Sequence, residues 1–280
     1  HIRGKQFERL TKWWLTNTPV MPFAPLTITK LWLWNEWPDR PGPDIGIDLV
    51  MELSDGSLGA VQAKCFDENA DIPKSQLDSF ISAASTKVYT HRLLIATTDG
   101  LSANARRMLR DQHVICIMRS ELEASLTAWP ASINDLATPL TQTKWQPLPH
   151  QKEAIDNVTK GLATGDRGQM IMACGTGKTL TALWVAEVLN PTTTLVLVPS
   201  LNLLSQTLNE WARHTNTPWT YICVCSDETV NKTNDEPIAT VADFPFEVTT
   251  DPNRIANFLE TPGRKIIFST YQSSAQIARA

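Results

Sequence analysis

The chain has 280 residues, 42% of them hydrophobic and 19% charged, with a formal net charge of −4. That length suits about two domains, and the charge argues against a globally basic nucleic-acid binder while leaving room for a local basic channel. No apolar run approaches the roughly 20 residues that cross a bilayer, and the polar start HIRGKQFERL is no signal peptide. Five cysteines without a C-x-x-C pair, set in apolar stretches, are expected to be buried, reduced thiols of a cytoplasmic protein. The missing initiator Met leads us to expect a piece of a longer protein.

In chain order, Phe7, Leu10 and Trp14 recur at helical spacing over 2–16, and Thr18-Pro19 stops the run. Glu8 lies beside that stripe, either as a solvated carboxylate or leaning over a site. Residues 26–34 read as a strand by β-branched and aromatic content, and NEWPDRPGPDIG reads as a loop. Five tryptophans fall before residue 38 and are expected in the core or as loop anchors.

Residues 43–64 read as a β-hairpin. A two-residue Asp55-Gly56 turn would set Asp48 opposite Ala63; a three-residue Ser54-Asp55-Gly56 turn sets it opposite Gln62. The second turn wants a left-handed residue at its last position, where Gly56 stands. Gln62 and Lys64 point the same way by the period of two. A carboxylate, an amide oxygen and a lysine on one face would make a metal-dependent phosphodiester-cleaving site, although Asp…Gln-x-Lys alone is common in hairpins. Glu52 reads as a solvated carboxylate.

Asp71-Ile72-Pro73 is expected to open a helix with Leu77, Phe80, Ile81 and Ala84 on one face. Strands follow at 93–97 and 114–118, with a helix at 102–110 between them. Ser120 and Glu123 read as the capping box of a last helix. The order α-β-β-β-α-β-α-β-α is a mixed sheet flanked by helices. Arg106, Arg107 and Arg110 form a basic cluster, either a solvated face or a phosphate contact.

This half resembles the Mrr-like branch of the PD-(D/E)xK nuclease superfamily. The resemblance rests on Gly4…Glu8, Asp44-Ile45-Gly46-Ile47-Asp48, Gln62-Ala63-Lys64 and the strand LLIATT, and spans residues 1–128. It implies a restriction-endonuclease-like domain in which Asp48 binds Mg²⁺ and Gln62 replaces the usual acidic second ligand. Lys64 would orient the attacking water and stabilise the pentacovalent phosphate, with Glu8 as a further candidate. An amide in place of a carboxylate implies poor Mg²⁺ occupancy without DNA.

Residues 129–146 lack periodicity and read as a linker. Residues 168–173 read as a strand, followed by Cys174-Gly175-Thr176-Gly177-Lys178-Thr179 and the helical run TALWVAEVL. Strand, glycine-rich turn and helix N-terminus form a phosphate cradle: backbone N–H groups face the phosphates, Lys178 reaches the β- and γ-phosphates, and Thr179 holds Mg²⁺. Met172 stands where the general pattern has its first Gly. Together with Leu148-Pro149-His150-Gln151, the strand into Pro199-Ser200 and the strand into Thr270-Tyr271, this resembles the first RecA-like lobe of superfamily 2 helicases over 147–280. The resemblance implies that ATP binds at Gln151, Gly175, Thr176, Gly177, Lys178 and Thr179, with Gln151 reading adenine; without the family, Gln151 reads as a surface helix residue. The segments around Pro199-Ser200 and Thr270-Tyr271 would touch one DNA strand.

The expected fold is thus α/β: a mixed-sheet nuclease domain followed by an incomplete parallel-sheet P-loop lobe. No DEAD/DEAH-type acidic pair precedes Ala280, so the 280 residues are expected not to hydrolyse ATP alone. Nuclease plus motor is similar to the single-polypeptide Type ISP restriction–modification enzymes, carried further by the WLWNEWP loop and the VPS and STYQSS motifs. That likeness implies double-stranded DNA as partner and, after Ala280, a second RecA-like lobe, a methyltransferase and a target-recognition domain. A helicase–nuclease of DNA repair and a catalytically silent DNA-binding nuclease fold are the alternatives.

Overall fold

The computed structural model describes residues 2–19, 22–43, 46–125, 127–136, 144–226 and 246–280. Asp44-Ile45 of the nuclease-like motif and residues 137–143 of the expected linker lie outside them. The chain divides into two compact units, 1–140 with 242–247 and 141–241 with 248–280.

The first unit runs α1 (Ile2–Asn17), β1 (Ile28–Leu33), β2 (Leu49–Leu53), β3 (Leu58–Lys64), α2 (Asp78–Ala84), β4 (Tyr89–Ala96), α3 (Ala103–Asp111), β5 (Ile115–Ile117) and α4 (Arg119–Ala124), the expected order. Its sheet is ordered β1-β2-β3-β4-β5, with β1, β2 and β3 antiparallel in turn and β4 and β5 running parallel to β3. Alternating side chains serve two cores. Leu49, Met51, Leu53, Val61, Leu93 and Ile95 pack with Phe7, Trp14 and Leu15 of α1. Val50, Ala60 and Leu94 pack with Phe80 and Ala84 of α2 and with Ala105 and Leu109 of α3. Trp13, Trp14, Trp34 and Trp37 are buried, so four of the five early tryptophans are core, and Trp32 packs half-buried against it.

Three local expectations change. Asp71-Ile72-Pro73 does not open α2: Ile72 bridges to Leu101, a 3-10 turn follows at Lys74–Gln76, and the helix begins at Asp78. The cap of α4 is Glu121, whose Oε2 accepts the Met118 N–H at 2.8 Å, while the Ser120 hydroxyl donates to Asp99 Oδ1 at 2.9 Å. Cys223 and Cys225 are buried, but Cys65, which follows the last residue of β3, and Cys174, which follows a stretch whose Ile171 is itself 87% exposed, are exposed; none of the five is in a disulfide.

The second unit contains α5 (Pro149–Leu162), α6 (Lys178–Leu189), β6 (Thr193–Val198), α7 (Leu201–His214), β7 (Thr220–Val224), β8 (Val248–Thr249), α8 (Pro252–Glu260), β9 (Lys265–Thr270) and α9 (Ser274–Ile277). Its sheet is parallel and ordered β6-β9-β7-β8. The strand expected at 168–173 is not part of it. Apolar content makes a segment eligible for a sheet, but a ladder partner makes it a strand; among the described residues none pairs with 168–173, and Ile171 is 87% exposed. No helix among the described residues is long and apolar enough to cross a membrane.

Candidate functional site

The hairpin has the three-residue turn. Leu53 N–H donates to Ser57 O at 2.9 Å, Asp55 Oδ1 accepts the Ser57 N–H at 3.0 Å, and Gly56 takes φ +82°. The register then runs Glu52↔Leu58, Met51↔Gly59, Val50↔Ala60 and Leu49↔Val61. Carried one pair further, it sets Asp48 against Gln62 rather than Ala63. Gln62 Nε2 donates to Asp48 Oδ2 at 2.5 Å, and the Ala63 N–H donates to the same oxygen at 2.8 Å. Regular pairing ends there, because the Asp48 N–H turns to Val61 O at 3.0 Å. Glu52 is not simply solvated: it pairs with Lys30 across the ladder at 3.0 Å.

Asp48 is poorly solvated. Burial pushes its carboxyl up from 3.8 to about 6; the neighbouring Glu8 carboxylate pushes the same way, against the Ala63 N–H, Gln62 and Lys64. Glu8 is only 13% exposed and takes the Lys5 ammonium at 3.0 Å. Lys5, Glu8, Arg9, Leu33, Trp34, Asn35 and Asp48 line one cavity of about 240 Å³. Gln62 is buried, and its Oε1 has no hydrogen-bond partner among the described residues. A buried amide oxygen without a donor is costly. A cation would satisfy it and relieve the crowding of Asp48 and Glu8, so these residues fit a hard divalent ion. Lys64, at the end of β3 opposite Ala96, is near enough to favour the ionised Asp48. The four expected nuclease residues thus converge. The part of Arg9 and Asn35 in the cavity wall was not anticipated; the spacing of residues 5, 8, 9 and 12 on one helix is the signal that could have pointed to Arg9.

In the second unit Gly175 and Gly177 take φ +77° and +80°. A Cβ on Gly177 would collide with the Gln151 amide. Gln151 is buried, not a surface residue: its Oε1 accepts the Leu148 N–H at 2.8 Å and its Nε2 donates to Thr176 O at 3.0 Å. It therefore ties the start of α5 to the phosphate loop. Lys178 Nζ donates to Met172 O and Ala173 O at 3.2 and 3.1 Å. Thr179 is the second residue of α6, and its carbonyl accepts Trp211 Nε1 at 2.9 Å. The first helical bond of α6 runs from the Thr181 N–H to Gly177 O at 3.0 Å, so the N–H groups of Gly177, Lys178, Thr179 and Leu180 before it have no helical acceptor, which suits an anion. The Tyr271 N–H donates to Val198 O at 3.1 Å, so the chain leaving β6 at Pro199-Ser200 runs beside the chain leaving β9. A cavity of about 650 Å³ between α5 and 167–173 reaches the loop at Thr176.

Comparison with known proteins divides the chain at the same place. Residues 22–137 match the family model described as restriction endonuclease, and residues 144–279 match that of the type III restriction enzyme, res subunit. The solved ATP-dependent Type ISP restriction–modification enzyme LlaBIII bound to DNA is 30% identical, with a TM-score of 0.83 over 100% of this chain and 18% of that one. A nuclease-deletion mutant of the Type ISP enzyme LlaGI, solved with a DNA substrate mimic, is 34% identical over 49% of this chain and 14% of that one, with a TM-score of 0.40. The probable helicase A859L of African swine fever virus is 31% identical over 138 residues, 49% of this chain and 15% of that protein. The chain therefore spans less than a fifth of the length of these relatives. Nuclease and helicase families of these kinds generally use Mg²⁺ and ATP. Residues 22–137 are a restriction-endonuclease domain and residues 144–279 a helicase domain of the res-subunit kind, joined in one chain as in the Type ISP restriction–modification enzymes.

Proposed function

We propose that this chain is the DNA-cutting and ATP-binding part of a restriction enzyme that moves along double-stranded DNA. The observation that carries the nuclease reading is the unpartnered, buried Gln62 Oε1 beside an Asp48 whose carboxyl is held up to about 6. Asp48 and Gln62 would hold Mg²⁺, with Glu8 adding negative charge from α1. The ion, when bound, supplies a Lewis acid for the phosphate oxygen. Lys64 orients the attacking water and offers positive charge to the phosphorane as it forms. Burial, with the Glu8 charge beside it, holds the Asp48 carboxyl up and disfavours its ionised form without a cation, so loading is weak until DNA arrives.

In the second unit Lys178 exchanges its bonds to Met172 O and Ala173 O for the β- and γ-phosphates of ATP. Gly175, Thr176 and Gly177 present backbone N–H groups, Thr179 offers its hydroxyl to the accompanying Mg²⁺, and Gln151 holds the loop and reads adenine. Residues 129–146 join the two domains. Further domains beyond these, among them a second RecA-like lobe and a methyltransferase, belong to the same reading, as does residence in the cytoplasm. Asp48→Ala and Lys64→Ala in the full-length protein test it: both are expected to abolish DNA cleavage and to spare DNA-stimulated ATP hydrolysis. Cleavage that survives both substitutions would leave a silent DNA-binding nuclease fold.

A further inference from the structure

On α1, residues 5, 8, 9 and 12 fall at i, i+3, i+4 and i+7, one stripe turned away from the Phe7, Trp14 and Leu15 core. Two of its three cations are spoken for. Lys5 Nζ meets Glu8 Oε2 at 3.0 Å, and Lys12 Nζ meets Glu36 Oε2 at 2.5 Å. Arg9 stands between them, exposed, and makes no hydrogen bond or ion pair with a described residue. It nevertheless lines the 240 Å³ cavity that holds Glu8 and Asp48. Lys5 is matched by Glu8 in that cavity, so an anion brought to Asp48 finds Arg9 as the uncommitted cation of the helix wall.

We propose that Arg9 binds the DNA backbone phosphate presented to Asp48 and Lys64. The inference rests on the nuclease reading above. A guanidinium offers two parallel N–H donors to two non-bridging oxygens, which fixes orientation as well as charge. Placed on α1, it contacts the phosphate from a different element than the strand that carries Gln62 and Lys64, and leaves Lys64 free for the water. The neighbouring Lys5 cannot substitute without releasing Glu8, which would restore the crowding of Glu8 and Asp48. Arg9 is thus the phosphate contact and Lys5 the charge balance of the same wall.

The test uses the full-length protein carrying Arg9→Ala, Arg9→Lys or Asp48→Ala, with a double-stranded DNA substrate. Arg9→Ala is expected to raise the DNA concentration for half-maximal cleavage by roughly ten- to a hundredfold, as the loss of a charge-assisted bond does. The plot of log affinity against log salt should flatten by about 0.9, the share of one phosphate contact. Arg9→Lys should restore part of the cleavage, and Mn²⁺ binding without DNA should be unchanged in both variants. If Arg9→Ala cleaves and binds as the parent does while Asp48→Ala is dead, this inference fails and the nuclease reading stands. If Asp48→Ala also cleaves, the nuclease reading itself falls. If Arg9→Ala loses Mn²⁺ binding or melts earlier and Arg9→Lys repairs only that, Arg9 is structural and the inference is overturned.

Discussion

In the first unit the candidate site is made where two strands meet; in the second it is made by the backbone of one loop. Asp48 and Gln62, fourteen residues apart in the chain, and Ala63 are brought together by a ladder whose register is set at the Ser54-Asp55-Gly56 turn between them. The phosphate loop needs only Cys174 to Thr179 and the start of α6, braced by Gln151. The hairpin site is the more rigidly defined, since Glu8, Gln62, Ala63 and Lys64, which act on the Asp48 carboxyl, all sit on a strand or a helix. The loop holds its lysine on two of its own carbonyls, Met172 O and Ala173 O.

That contrast can be broken or sharpened. The largest effect is expected from Lys178→Ala, which should lower nucleotide affinity by on the order of a hundredfold or more, measured by fluorescent-nucleotide titration. It should leave Mn²⁺ binding at the hairpin unchanged; a joint loss would mean that the sites are not independent. Next is pH. The folded Asp48 carboxyl sits at about 6 against an ordinary 3.8, so between those values the folded chain keeps a proton that the unfolded chain has lost. Without metal, stability should therefore fall as pH rises through that window, by up to about 3 kcal/mol. Asp48→Asn should flatten the slope, and Mg²⁺, which binds the ionised form, should oppose it.

Gln62→Glu comes third. A second carboxylate should raise metal affinity by roughly tenfold while lowering the melting temperature of the metal-free first unit, because two buried like charges then face each other. Calorimetry with and without Mg²⁺ would separate the two effects; equal melting in both conditions would argue against a cation at Gln62. The smallest is Gly56→Ala. At φ +82° an added Cβ should cost about 1 kcal/mol, read as a shift in the denaturation midpoint with nucleotide binding unaltered.

The hairpin register could be read because a three-residue turn asks for a left-handed residue and Gly56 answers it. The phosphate loop could be read because its information is contiguous. The strand before that loop could not, since GQMIMA carries the composition of a strand and no account of what would pair with it. The cap of α4 was equally ambiguous: Ser120 and Glu123 have capping-box spacing, but Asp99, distant in sequence, claims the Ser120 hydroxyl and leaves Glu121 to cap the helix. The tilt of Glu8 toward Asp48 depends on what α1 packs against, and helical spacing does not state that.

The outer edge of β6 has a practical consequence. The strand TTLVLV is uncharged and β-branched, it ends the four-stranded sheet, and it leaves Leu195 and Leu197 47% and 37% exposed. An uncharged outer strand of this kind is a template on which another copy can add its own strand. Purified by itself, this stretch of protein should cluster with rising concentration, and a lysine at Leu195 should keep it dispersed in light scattering.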